Sequence, residues 1–431
     1  MLCGRKKIDN FLNVNHIHLY SRQNLFNMNF RLICFLLLFG SSVYAQSINT
    51  NAAPQSNSNM NVNQSESLEE QVIDTVSFKN EQEKREESIQ QKKQTEKLKD
   101  LNTTDTYGYT SEVTQQLQHV SGLFTATRQQ ASTQRTQRTP NAEQQQQMNQ
   151  YVALLSQAAP ESFEFHYYTY IAGNYNSALI DHLLKAEVLR PENSDVQIQL
   201  AAYHLITQNS SEAKKYLKKL YANGRVTEIM TLYGKDVLRS VPKNGCLITH
   251  GFEDTFGAIY AQLFMNERTD VTLVSLDFLQ SESYRSTLKN KGYTLPNATT
   301  IDVAYLSNFC ALNATKNLGV SLTVPKEYLV PIQQKLFVAG LVMEYHSEGC
   351  TGNFDRNEVL WNHELSSSII KNGRDKARTL SANYLPMLLL LRKEYQTKGQ
   401  QEQVKKIDAV LDQIAVQCGK YEQVQSIKAS Y

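Results

Sequence analysis

Two short apolar runs flanking one helical stretch constrain this chain more than anything else in it. The first, CLIT at 246–249, has β-branched members and is bounded by Pro242, Lys243, Asn244 and Gly245 before it and Gly251 after it. It reads as a buried strand. The stretch that follows places Phe256, Ile259, Tyr260, Leu263 and Phe264 on one face of an amphipathic helix, with Asp254 or Thr255 placed to cap it. DVTLVSLDFL from Asp270 is a second strand. Strand, helix and strand over so few residues make a βαβ unit, whose handedness sets the two strands parallel.

Ligands of open parallel sheets sit beyond the carboxyl ends of the strands. The loop there holds His250, Gly251, Glu253, Asp254 and Thr255, a set that can bind a cation or a polar group. A purely structural account competes with it: Gly251 makes the turn, Asp254 caps the helix, and His250 is incidental. The chain has no GxGxxG, no GxxxxGK[ST] and no GxSxG, and acidic residues at that helix start oppose phosphate. No catalytic residue or cofactor is therefore expected. Nor is a metal, because His346, Glu348, His363 and Glu364 lack the i, i+4 spacing that sets two ligands on one helical face.

Upstream, YIAGNYNSALIDHLLKAEVLRPEN carries Gly173, Tyr175, Ala178, Ala186 and Pro191 in an order that resembles the tetratricopeptide repeat. Ala213 falls one repeat length beyond Ala178. His166 and Thr169 depart from the small and aromatic residues of that family. Two repeats are too few for a free-standing solenoid, so they are expected to lean on the βαβ segment through VTEIMTLYGKDVLRSVP. The resemblance implies a protein partner in the repeat groove, lined by Tyr167, Tyr170, Tyr203 and His204.

Downstream, LGVSLTVP (318–325) reads as a third strand, VPIQQKLFVAG as a helix and LVMEYH as a further strand-like run. Past Gly349 the sequence predicts two amphipathic helices around Gly399. Met387 to Leu391 is apolar all round and so should be buried.

The blocks LITHGFEDTFGAIYAQ, RTDVTLVSLDFL and VPKEYLVPIQQKLFVAGLVMEY resemble the soluble carboxy-terminal part of a bacterial family of multispanning proteins related to protein O-mannosyltransferases. The residues that carry the likeness are Gly251, Asp254, Thr255, Arg268, Thr269, Asp270 and Val271, then Tyr328, Leu329, Gly340, Leu341 and Val342. His250, Phe252 and Glu253 depart from the Asn and Asp usual in that family. The resemblance covers roughly residues 240 to 346. It implies an accessory domain, since glycosyl transfer in such proteins relies on membrane spans and on acidic loops between them.

The start of the chain reads as targeting. From Met28 a single Arg, the apolar run Leu32–Phe39 and small residues lead to Ala45, the order of a secretory signal peptide with cleavage after Ala45. Residues 1–27 are then an upstream extension. Five of the 44 basic and one of the 42 acidic residues precede Gln46, leaving 39 against 41. That balance gives no basic surplus for nucleic acid. Export would permit disulfides among Cys246, Cys310, Cys350 and Cys418, with the pairing open.

The expected organisation is an upstream extension and signal (1–45), a polar, partly helical spacer (46–159), tetratricopeptide-like helices (160–240), an α/β domain (241–350) and a C-terminal helical hairpin (351–431). The fold class is α/β plus α. The expected function is that of a non-catalytic, periplasmic or secreted interaction or scaffold module without an integral span after signal removal. The alternatives are a sugar- or polar-ligand-binding protein or enzyme using the His250 loop, and an accessory to envelope glycosyl transfer.

Overall fold

A computed structural model describes residues 109–350, 352–365 and 378–431. The signal segment and the first part of the polar spacer lie outside the described residues. The described part is mostly helical, with one small mixed sheet of five strands.

The described end of the polar spacer forms two helices, α1 (Ser111–Thr133) and α2 (Ala142–Ala158). Their ends are set by side-chain caps: Thr110 accepts from the Val113 N–H, and Asn141 and Gln144 form a reciprocal capping box. Although α1 is polar in bulk, Leu117, Val120, Phe124, Thr127 and Ala131 recur at alternating steps of three and four and are all buried. Four helices follow: α3 (Phe163–Ala172), α4 (Ile180–Leu189), α5 (Ser194–Ile206) and α6 (Ser210–Ala222). Each packs on the next in sequence. The expected glycine turn between α3 and α4 works differently from its sequence reading. Asn174 and Tyr175 hold the left-handed conformation at φ 48° and 63°, whereas Gly173 is right-handed at φ -75°, and a Cβ there would press on the Leu179 side chain, with Cδ1 at 2.4 Å.

Next come α7 (Glu228–Ser240), β1 (Cys246–Thr249), α8 (Gly251–Met265), β2 (Thr272–Ser275), α9 (Glu282–Asn290), α10 (Val303–Leu312) and β3 (Leu318–Ser321). Strands β4 (Leu336–Ala339) and β5 (Val342–Tyr345) form a hairpin. The sheet order is β2-β1-β3-β5-β4, with β1 parallel to both β2 and β3 and β5 antiparallel to both neighbours. One expectation is corrected here: Leu336–Ala339, read as the end of a helix, is a strand. The helical signal from 326 is used up in two short helical turns, Lys326–Leu329 and Val330–Lys335, and left-handed Gly340 at φ 59° then reverses the chain into β5.

All four residues of β1 are buried. Cys246 and Ile248 join a core shared with α3–α6, α9 and α10, while Leu247 joins a second core shared with α7 and the C-terminal helices. Burial on both faces is what a continuous apolar run with parallel neighbours demands. The C-terminal helices are α11 (Leu385–Thr397), α12 (Gln401–Gln417) and α13 (Tyr421–Ala429), with Gly399 left-handed at φ 71° in the first turn between them. Met387, Leu388, Leu389 and Leu391 are buried. Cys246 and Cys310 are buried and are not joined in a disulfide.

Helices α7 and α8 cross backbone to backbone. A Cβ on Gly234 would lie 2.3 Å from the Gly257 carbonyl carbon, and one on Gly257 would lie 2.4 Å from the Met230 carbonyl oxygen. Helix propensity alone favours alanine by ~1 kcal/mol at such positions, but neither neighbour is a flexible side chain that can step aside. Gly257→Ala is expected to lower stability by roughly 1–3 kcal/mol through overpacking. A urea midpoint equal to or above that of the unsubstituted protein would contradict the close crossing.

Candidate functional site

The chain leaves β1 towards β2 on one side and returns past it to β3 on the other, so strand order reverses at β1. The crevice beyond such a reversal is where open α/β sheets bind ligands. In this protein the strand ends bring together His250 and the start of α8, Ser275 and Asp277 after β2, and Ser321 and Thr323 after β3.

Helix α8 begins at Gly251, with His250 as its N-cap, so the expected cap at Asp254 or Thr255 is displaced by one turn. Asp254 still serves the helix start by reaching back: its carboxylate accepts the His250 N–H at 3.0 Å. It also accepts the hydroxyls of Ser321 and Thr323, each at 2.9 Å. Burial raises the Asp254 carboxyl to about 6, against the pull of those three donors. Thr255, also buried, shares a 2.9 Å hydrogen bond with Thr249 and lies 3.4 Å from Ser275 Oγ. Gly251 takes φ 79°, and its N–H donates to Asp277 Oδ2 at 2.8 Å. Glu253 is exposed and turns away from this network.

Asp277 is the other anchor. Arg138, from the loop between α1 and α2, donates through Nε to Asp277 Oδ1 at 2.9 Å and through Nη2 to the same oxygen. Burial pushes the Asp277 carboxyl up, but the Arg138 charge and hydrogen bonds outweigh it and hold the group at about 2. The Arg138 loop is fastened along its length. Its backbone N–H donates to Ile301 O at 2.8 Å, Val303 N–H donates to Thr136 O at 3.1 Å, and Arg135 pairs with Glu327 at 2.9 Å.

His250 lies half-buried between these groups, with Nε2 wholly buried and without a hydrogen-bond partner. Burial, reinforced by the Arg138 guanidinium, holds the imidazole down at about 3, so it is neutral at pH 7. Two carboxylates are thus consumed internally, and a neutral imidazole keeps one nitrogen free. This arrangement can accept or donate one hydrogen bond at His250. Among the described residues no group of three or more His, Cys, Asp or Glu is arranged to hold a metal ion.

The residues expected to line a partner groove are divided. Tyr170 is 1% exposed, with its hydroxyl buried and unpartnered, so a partner cannot reach it while α3 stays packed. Tyr167, Tyr203 and His204 are half-buried. His204 stacks on Tyr216 at 5.7 Å and lies edge-on to Tyr203 at 5.1 Å. Sequence reasoning missed Arg138, Asp277, Ser321 and Thr323. Asp277 closes the apolar run of β2 and could have been noted as a strand-end acid. Arg138 sits in a polar stretch that carries no local signal for it.

Residues 230–343 match a family model, TMEM260-associated domain 2. The match runs from α7 to the middle of β5. It supports, at the level of a family, the resemblance read from the sequence in this segment. No curated protein and no solved structure matches the chain. Several residues that carried the resemblance have structural work here. Arg268, left-handed at φ 42°, donates to the carbonyls of Leu238, Val241 and Pro242 and pairs with Asp270 at 2.8 Å. Asp270 in turn accepts the Asn244 N–H at 2.7 Å. Gly340 approaches Ser240 so closely that a Cβ would meet its Oγ at 2.3 Å, and the Leu341 N–H donates to that same hydroxyl at 2.9 Å.

Two predictions test this geometry. A native imidazole held at about 3, against 6.5 for the free side chain, means the unfolded chain binds the extra proton as pH falls below 6.5. Stability contributed by neutral His250 is therefore present above pH 6.5 and is lost on acidification towards 3, at up to ~1.4 kcal/mol per pH unit. Asp254 acts with the opposite sign between its unfolded value of 3.8 and about 6, so the difference between the protein and His250→Gln isolates the histidine. Denaturant titrations from pH 7 to 4 should show a shallower loss in His250→Gln, and identical slopes would refute the assignment. Separately, Arg138→Ala strands a buried carboxylate and should cost roughly 3–5 kcal/mol, read as a lower urea midpoint; a change within 0.5 kcal/mol, the ~0.5 expected of a neutral surface site, would count against the anchor.

Proposed function

We propose that this chain is a non-catalytic, exported interaction or scaffold module at the cell envelope, recognising a protein partner through its helical hairpins. The observation that carries this reading is the use of the strand-end acids. Asp254 and Asp277 are bound to five donors between them, all from this chain, and join elements instead of facing an open site. Helices α3 to α6 each pack on the next, and read as tetratricopeptide-like hairpins they would present partner-binding side chains on helix faces. Tyr203 and His204 suit this role, because aromatic side chains carry contact area at little entropic cost. Tyr167 adds to them at the edge of α3, while Tyr170 supports the helix from within. Among the described residues no helix is long and apolar enough to cross a membrane. The signal between Met28 and Ala45 places the protein in the periplasm or outside the cell in this reading.

A second reading is favoured by one observation, the buried and unpartnered Nε2 of His250, which suits a sugar hydroxyl or another polar group. An accessory role in envelope glycosyl transfer draws on the TMEM260-associated match of residues 230–343.

Crosslinking of the full chain in its native envelope, followed by identification of the captured protein, tests the leading reading. The combined variant Tyr203→Ala and His204→Ala should lose the captured partner at least tenfold while keeping its circular dichroism and melting temperature. Undiminished capture would sink the groove assignment. Sugar-dependent protection of residues 248–255 from hydrogen exchange would instead favour the second reading.

A further inference from the structure

The strongest unexplained charge in the structure belongs to Arg128, on α1. The residue is half-buried, and Nη1 donates to Asn174 Oδ1 at 2.9 Å. Among the described residues no carboxylate lies within ion-pair distance of it. Burial lowers its affinity for a proton, Tyr175 and Asp277 pull the other way, and the Arg138 charge adds a smaller lowering. A desolvated guanidinium whose neighbouring carboxylate, Asp277, is already paired with Arg138 is costly, because little counter-charge replaces its hydration.

The surroundings of Arg128 are continuous with the strand-end cluster. Asn174, its acceptor, and Tyr175 are consecutive residues in the left-handed conformation, at φ 48° and 63°. An aromatic residue in that conformation is strained, and it stays so only where neighbours over-determine it. Here the Tyr175 ring lies edge-on to Phe278 at 5.6 Å. Phe278 follows Asp277, the carboxylate already claimed by Arg138 and by the Gly251 N–H. The sequence of contacts therefore runs from Arg128 through the Asn174–Tyr175 turn to Asp277, Arg138 and His250. Two arginines share one carboxylate in this cluster, and one buried polar atom, His250 Nε2, has no partner.

We propose that the seam between α1, the Asn174–Tyr175 turn and the end of β2 is a binding site for a small anionic group, a phosphate or a carboxylate, held by Arg128. The guanidinium supplies a planar set of donors suited to either group. Arg138 adds positive potential while keeping Asp277 in place, and the Tyr175 ring walls the seam. Arg128 as a residue keeps partial exposure, and the anion would enter from that side. The proposal is independent of the partner groove, whose residues it does not use.

The test uses the full chain with inorganic phosphate and with acetate as probes, each compared with chloride at equal ionic strength, by calorimetric titration and thermal shift. One of the two probes should bind and raise the melting temperature beyond the chloride control, and the probe that does so distinguishes phosphate from carboxylate as the group recognised. Arg128→Gln should weaken that binding by about tenfold or more, the loss of a charge-assisted bidentate contact. Arg225→Gln, which removes an arginine paired with Asp195 at 3.3 Å, controls for net charge and should leave binding unchanged. No binding of either probe beyond chloride, or full retention of binding in Arg128→Gln, overturns the proposal.

Discussion

The Asp277 carboxylate is the point at which three parts of this protein are held together. One oxygen takes the Arg138 guanidinium from the α1–α2 loop, and the other takes the Gly251 N–H at the start of α8. Asp277 itself follows β2. Without it the N-terminal helices would touch the sheet only through the neighbouring loop contacts, and the first N–H of α8 would lose its acceptor. Buried ion pairs add little net stability over a well-packed apolar substitute, since desolvation offsets most of the attraction. What this one confers is position: it fixes where α1 and α2 sit relative to the strand ends.

The same logic explains several residues inside the segment that matches the TMEM260-associated family model. Arg268 gathers three carbonyls where α7 gives way to β1, and Asp270 holds the Asn244 N–H at the same junction. Gly340 and Leu341 close on Ser240 at the end of α7. A polar motif picked out in a sequence is often read as a reacting centre. Here it describes how a helix is bolted to a sheet.

Much of the sheet was legible because its strands carry their own signal. CLIT is apolar throughout since β1 is covered on both faces, and the stripe from Phe256 to Phe264 marks α8 by its helical period. Leu336–Ala339 was misread because a short apolar run of four cannot distinguish a strand from the end of a helix; the β4–β5 hairpin depends on Gly340, a signal that a helical reading passes over. The candidate site was half visible. His250, Asp254 and Thr255 stand beside the first strand, and any βαβ reading brings them to its end. Arg128 lies in a Gln- and Thr-rich helix whose buried positions, Leu117 to Ala131, are diluted by polar neighbours, and Arg138 lies in the loop that follows it. Nothing local announces that their guanidinium groups reach a loop so far along the chain.

That distance has a consequence for how the molecule is made. Arg138 and Asp277 are 139 positions apart, so on a ribosome α1 and α2 emerge long before their anchor exists. Until β2 and the Ile301 carbonyl have been synthesised, this hairpin has only its own modest apolar stripe and the helices next to it to lean on. Vectorial synthesis therefore leaves α1 and α2 waiting for an anchor that follows 139 positions after Arg138.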